Sequence, residues 1–587
     1  MLGKRSDQLG LFEADQLYLD FVGRDSFYGF LAGQRGQLFH DEDFAALYCL
    51  DNGRTSAPPS LLATALLLQT YDRVSDEEAK ARADFDLRWK VALGVCLEDR
   101  PFAKSTLQVF RAQLILHEKV MAVFKQSLKF ARQTGHLKNR KVKAVLDTSN
   151  IIGRGAVKDT YNLLADGIVK LIRALASLNG TKPEAWAEES FREGSRYFGP
   201  ASIKAEAQIN WEDAKARQKF LTSVVADADR LLEMARQALT AYAPESDEHK
   251  KLTEAAELLA QLLLQDVERK PEGGSIKEGV SRDRVVSVHD PEMRHGRKSK
   301  AKRFDGHKAA LAVDAESQLI TAVAVLAGNA PDNEKALELV KQTEENAQVE
   351  VEETIGDCAF GDGTTRQEFA DAGRKLVAKV PDRPNGAQIP KQDFRIDLDN
   401  KTCTCPAGQE CATLESIGRR KDRNGESQDW LGFKFDPEMC AVCPLRPQCV
   451  LAGPGKGRTV SLHPQEALLQ EARAFQRSDE FGPYKELRQA AEHRIARLVQ
   501  LGMRQARYFG RVKTLYQLLM AATVANLTLV ATKVGLMRGR KSKRNHLFAR
   551  ILGAVLAFAT IFTLSTAYNL GLTFENPARR AGFRPGF

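Results

Sequence analysis

Two aspartates stand where a short apolar run meets a polar one. NRKVKAVLDTSNI carries Val142, Ala144, Val145 and Leu146 into Asp147, and VEVEETIGD runs from Val349 to Asp357. Each run has the length and β-branched content of a buried strand, which puts its aspartate at the strand's carboxyl end. Carboxylates on neighbouring strand ends repel, and burying them is costly unless a cation lies between them. Mg²⁺ takes oxygen ligands and keeps positions open for phosphate oxygens. A pair of such ions activates an attacking oxygen and stabilises a leaving one. A third carboxylate from a later helix would complete the cage. Alone, the pattern has a blander reading, since strands also end in aspartate for turn reasons.

A second constellation is built of thiols. Six of the nine cysteines fall between 403 and 449, as Cys403-x-Cys405, Cys411 and Cys440-x-x-Cys443-x5-Cys449. Cys-x-x-Cys opposite another cysteine pair suits tetrahedral Zn²⁺, and four ligands suffice. Cys405, Cys440, Cys443 and Cys449 are the favoured set, with Cys403 or Cys411 as substitutes. Free thiols or a redox pair are the competing reading. Cys49, Cys96 and Cys358 read as inert packing residues. Nine cysteines in 587 residues are too sparse for a disulfide scaffold, which fits a reduced, cytoplasmic setting.

The charge points to a polyanion. Lys plus Arg total 86 against 76 for Asp plus Glu, a formal charge of +10. Arg294-His-Gly-Arg-Lys-Ser-Lys-Ala-Lys-Arg303 concentrates part of the excess in Arg294, Arg297, Lys298 and Lys300. Arg504, Arg507, Arg511 and Lys513 form a second run, with Tyr508 and Phe509 among them. Lys and Arg position a nucleic-acid backbone, and aromatic rings stack on distorted ends. A solvated loop is the plain alternative for either run.

These residues need elements to position them. Residues 1–135 read as mostly helical, either a helix-turn-helix type DNA reader or a docking domain. Residues 136–162 begin an α/β core with the Asp147 strand. Residues 163–280 are a helical insertion, in which Leu221 to Leu239 and Leu252 to Val267 repeat at three- and four-residue spacing as an antiparallel hairpin. Residues 281–389 return to the core: His307 to Gly328 reads as two strands joined at Ala315–Gln318, followed by a helix from Asp332, the Asp357 strand and a strand in Arg374–Pro381. Residues 390–460 hold the cysteines, residues 461–530 are helical, and residues 531–587 comprise a basic segment, an apolar helix and a tail. Ile551–Leu572 is long enough to span a bilayer, but Thr560, Thr563, Ser565, Thr566 and Asn569 favour a buried helix over a membrane span. The polar opening MLGKRSDQLG has no secretory signal pattern.

In order, the strings VKAVLDTSNIIGRGAVKDTYNLLADGI, RVVSVHDPEMRHGRKS, IGDCAFGDG and AEHRIARLVQLGMRQARYFGRVKTLYQLLMAATVANL resemble DDE transposases of bacterial insertion sequences. The likeness is greatest to the insertion sequence eleven-eighty-two group, related to the four and five groups, and runs from about residue 40 to 530. PPSLLATALLL, FDLRWKVALGV and STLQVFR are similar to the helical domain that precedes the catalytic core there. The resemblance implies an RNase H-like mixed-sheet core with a helical insertion and a cysteine-rich, zinc-knuckle-like insertion. It matches the three acids to Asp147, Asp357 and Glu492. Tyr484, Arg488 and Glu492 are spaced by four, which places them on one helix face. Relatives in the four group carry Tyr, two residues, Arg, three residues, Glu, six residues, Lys. Here the first gap is three residues and Val499 stands in the lysine's place, so Arg494, Arg497 or Lys513 would serve on DNA instead.

The implied activity is a DNA transposase using two Mg²⁺ or Mn²⁺ ions per site. Water would hydrolyse a phosphodiester at each terminal inverted repeat, and the freed 3′-OH would attack target DNA. Two molecules would pair two ends, at least a dimer in the DNA complex, in the cytoplasm at the nucleoid. The alternative is a catalytically inactive, transposase-derived DNA-binding regulator.

Overall fold

The computed structural model describes residues 1–5, 14–49, 52–298, 301–381, 389–421, 425 and 427–537. Lys300, the Arg538–Arg544 cluster and the Ile551–Leu572 segment lie outside the described residues.

A mixed sheet organises the chain. Its strands are β1 (Lys141–Ile152), β2 (Arg294–Arg297), β3 (Arg303–Asp314), β4 (Ile320–Ala327), β5 (Glu350–Ile355) and β6 (Lys375–Val377). Across the sheet the order is β4–β3–β1–β5–β6, with β2 sharing the outer edge of β3. The β4–β3 and β3–β1 pairings are antiparallel; β5 and β6 continue parallel to β1 and to each other. Ala309 to Asp314 of β3 are buried without alternation, the mark of a strand covered on both faces.

One expectation changes here. The Asp147 strand does not end at Asp147 but runs five residues further, because β3 pairs with it as far as Ile152 opposite Gly306. The close approach at that end requires glycine: a Cβ on Gly306, whose φ is +151°, would lie 2.2 Å from the Ile151 carbonyl oxygen. Two smaller differences accompany it. The helix expected from Asp332 starts at Ala336, since Pro331–Glu334 forms a turn, and a short hairpin, Val267–Lys270 with Gly273–Ile276, closes the insertion before the sheet resumes.

Helices cover the sheet. Ala336–Ala347 lies against β4 and β5. Arg511–Lys533 is buried nearly all round, between β4 and the N-terminal helices Pro59–Asp72 and Val120–Gln133. Its mid-point is pinned by Asn526, whose side chain accepts from Ile320 N (2.9 Å) and donates to Ile320 O (2.8 Å). Among the described residues this is the one helix long and apolar enough to cross a membrane, and its burial shows it serving as a core helix. The N-terminal helices and the sheet share a continuous apolar core.

The helical insertion has its own core. Thr160–Leu178, Ala214–Leu239 and Asp247–Asp266 pack together through Leu171, Val224, Leu231, Leu259 and Leu262. A third, smaller core lies in the cysteine segment, where Arg395–Asp397, Thr402–Thr404 and Glu410–Cys411 form one small sheet and Leu414–Lys421, Ser427–Lys434 and Thr459–Ser461 another.

Candidate active site

The register of the parallel pair brings the two aspartates together. Val145 of β1 lies opposite Ile355 of β5, the last paired residues. Asp147 and Asp357 each stand two residues beyond that pair, so the same register carries them side by side. Asp357 lies past the end of β5, where its carboxylate accepts from Ala359 N (2.8 Å) and starts the turn Cys358–Phe360. Asp147 Oδ1 accepts from Thr148 N at 2.7 Å. The helix Gln489–Gln500 crosses β1 and β3 and carries Glu492 in its first turn.

All three acids line a cavity of about 660 Å³, together with Thr148, Asn150, Arg297, Lys298, Lys308, Asp332, Arg488, Val499 and Arg504 among others. Burial pushes the Asp147 carboxyl up to about 6; the Asp357 and Glu492 charges add to the rise, while the Thr148 amide and Arg488 oppose it. The acids therefore sense one another. Among the described residues, no three histidine, cysteine, aspartate or glutamate side chains are gathered tightly enough to hold a metal ion as they stand.

The Tyr–Arg–Glu face divides. Tyr484 belongs to a separate short helix, Gly482–Leu487, and its hydroxyl donates to the Glu353 carboxylate at 2.9 Å. Glu353 also receives Lys143 (2.6 Å) and Lys375 (2.5 Å), its neighbours in register on β1 and β6. These donors outweigh the burial that opposes them and hold the Glu353 carboxyl down to about 2. Only Arg488 and Glu492 reach the cavity. Tyr484 instead clamps the start of the helical segment to the sheet.

The basic residues also sort themselves. Arg297, Lys298, Arg488 and Arg504 line the cavity, and Arg504 donates to Asn150 Oδ1 at 2.7 Å. Arg294 turns away and donates to the carbonyls of Pro291 (2.5 Å) and Met293 (2.8 Å). Arg507 faces Asp76 at 3.6 Å, Arg511 pairs with Glu292 at 3.0 Å, and Lys513 is exposed elsewhere on the surface. Arg494 is half-buried, which lowers its pKa to about 10, and Arg497 reaches Thr528 and Gln500, so neither replaces the missing lysine at the cavity. Tyr508 packs against Tyr516 and Arg111 rather than standing free to stack; Phe509 is exposed beside Arg154.

Lys308, Asp332 and Asn150 line the cavity without having been expected there. Lys308 lies inside an apolar strand string, HKAALAVD, where a lone lysine reads as a strand-edge residue. Its position opposite Asn150 is set by the β1–β3 register.

The thiols are gathered locally. Cys403 and Cys411 are register partners, and burial pushes the Cys403 thiol up to about 12. Cys449 is raised by burial, and the charges of Cys440, Cys405 and Cys443 raise it further, so the four favoured cysteines are electrostatic neighbours. Cys49 and Cys358 are exposed and lie outside the apolar clusters, so neither is a packing residue.

Residues 404–531 match the family described as transposase DDE domain, and residues 22–113 match the transposase domain of the DUF772 family. Both matches support an insertion-sequence DDE transposase, and the mixed α/β architecture fits a DDE domain. The DDE match includes Glu492 but neither Asp147 nor Asp357, which join it through sheet register. No curated protein and no solved structure matches the chain.

Proposed function

We propose that this chain is a DNA transposase of the insertion sequence eleven-eighty-two type, which cuts phosphodiesters at its element's ends and joins the freed 3′-OH to a target strand. The observation that carries this reading is the convergence of Asp147, Asp357 and Glu492 from three distant segments on one cation-rimmed cavity. The strand order supports an RNase H-like core: three antiparallel strands, then two parallel to the first, with one acid on the central strand and one just beyond its parallel neighbour.

Carboxylates are the oxygen donors a divalent cation takes, and these three would draw together around it. Three carboxylates share one wall; burial raises the Asp147 carboxyl, the Asp357 and Glu492 charges add to the rise, and a cation would relieve both. Asp147 and Asp357 would hold the ions jointly, with Glu492 on one of them. Mg²⁺ or Mn²⁺ supplies activation of the attacking oxygen and charge stabilisation on the leaving oxygen. Arg297, Lys298 and Arg504 hold the DNA backbone against the cavity by phosphate contacts. Arg488 sits where it offsets carboxylate charge. The cysteine module is read as a structural zinc site on Cys405, Cys440, Cys443 and Cys449, and two molecules pair two DNA ends.

The test is cleavage of a duplex carrying the element's own terminal sequence. Wild-type protein should nick it with Mg²⁺ or Mn²⁺ and not in excess EDTA. Asp147→Asn and Asp357→Asn should retain binding and lose cleavage. Cleavage in EDTA, or full turnover by either variant, would overturn the reading.

A further inference from the structure

Most of the cavity's cations are arginines or loop lysines on its rim. Lys308 differs. It projects from β3, a strand paired on both edges, with Asn150 opposite on one side and Leu326 on the other. Its side chain is 12% exposed, and its ammonium donates to Ala330 O at 2.6 Å and to Asp332 Oδ1 at 2.8 Å. An ammonium carries three N–H donors. Two are engaged on one side by the turn after β4, which leaves the third for the cavity that Lys308 lines.

Asp147, Asp332, Asp357 and Glu492 all line that cavity, so an entering phosphodiester comes close to four carboxylates. The rim arginines attract the duplex as a whole from the cavity's edge. A lysine anchored on the central sheet offers an opposite charge at one fixed point beside the acids, and preorganised charge of this kind is what favours a reactive geometry. Beyond Glu492, its helix presents Ile495, Ala496 and Val499 at the same cavity, and none of them brings a charge.

Resting on the transposase reading above, we propose that Lys308 is a phosphate-contacting residue: its ammonium, oriented by Asp332 and the Ala330 carbonyl, binds a backbone oxygen at or next to the phosphate being cut. Asp332 is then a positioning residue acting through Lys308.

The experiment uses the full chain with the terminal duplex and Mg²⁺, comparing Lys308→Met, Lys308→Arg and Asp332→Asn. Lys308→Met should cut at least about 30-fold more slowly while binding the duplex within about threefold of wild type, the pattern of an interaction realised mainly in the transition state. Lys308→Arg should recover part of the rate. A second readout needs no turnover: single methylphosphonates, which remove one phosphate charge at a time, are placed across the cut site and binding is measured. One position should weaken wild type about threefold or more and leave Lys308→Met unaffected, the non-additivity expected of direct partners. Cleavage by Lys308→Met within about threefold of wild type, or identical methylphosphonate profiles for the two proteins, would overturn the assignment. If wild type does not cut but the profile still singles out one phosphate, Lys308 stands as a DNA contact and the transposase reading fails. If wild type cuts and the profiles coincide, the Lys308 assignment alone fails.

Discussion

The acid cavity and the cysteine module are assembled in opposite ways. The acids come from positions 147, 357 and 492, and sheet register with one crossing helix brings them to a single wall. The cysteines lie between 403 and 449, and short strands and helical turns of that segment gather them. The acid cavity sits on a core shared by the sheet and the N-terminal helices, whereas the module's buried core is a small one, mostly aromatic and thiol side chains. A site built on a large core can lose a functional group and keep its fold. A site that is itself much of a small core cannot.

The widest gap should separate two glutamates of neighbouring short helices. Glu492 lines the cavity; Glu486 is exposed and does not. Glu492→Gln should lower cleavage by at least about 10³-fold with the melting temperature little changed, as for loss of a group acting in the transition state. Glu486→Gln should leave the rate within about twofold, as expected for a surface ion pair. Reversed results would mean that the helix sits in another register.

The cysteine module should show the converse. Cys440→Ser with Cys443→Ser should lower the melting temperature by on the order of 5 °C or more and reduce bound zinc from about one ion per chain to none. Metal analysis of protein purified without added zinc, together with a thermal scan, checks both. Equal stability without metal would leave free thiols as the account of this segment.

Glu353 tests how firmly the acid site is tied to the sheet. Its carboxyl is held down to about 2 by Lys143, Lys375 and Tyr484. A depressed carboxyl stabilises the fold above its unfolded pKa, about 4.3, and that stability is lost as pH falls through the folded value. Glu353→Gln should therefore melt a few degrees lower at pH 7, with the difference shrinking below pH 4 and vanishing near pH 2. A difference independent of pH would show that the ion pairs contribute nothing.

The smallest effect belongs to the rim. Arg297→Ala with Lys298→Ala should weaken duplex binding and reduce the slope of log K against log salt by about 0.9 for each phosphate contact removed. Arg294→Ala, whose guanidinium is engaged by backbone carbonyls, should leave the slope unchanged. Titration at several salt concentrations separates the two.

Much of the site was legible before the structure. The apolar runs marked Asp147 and Asp357, and the resemblance placed Glu492 after the cysteine insertion. Other features were hidden because they depend on partners distant in sequence. The Asp147 strand reads as ending in a polar string, yet DTSNII stays extended because β3 continues to pair with it. Tyr484 shares the spacing of Arg488 and Glu492, but Glu353, 131 residues away, captures its hydroxyl. Arg294 looks like Arg297 in a basic string, yet on β2 only Arg297 lines the cavity, while the Arg294 guanidinium is taken by backbone carbonyls.

What the sequence by itself determined is local. Hydrophobic period specifies strand or helix, and cysteine spacing marks a module whose ligands are close along the chain. Those features depend on neighbours a few residues apart, so a string of letters contains them. Only the tertiary structure decided that Val145 pairs with Ile355, which sets Asp147 beside Asp357, and that Lys308 lines the acid cavity while Arg494 and Lys513 do not. Register is a non-local quantity: shifting one strand by a single residue sends every side chain to the opposite face, and its choice is made by burial across the whole sheet.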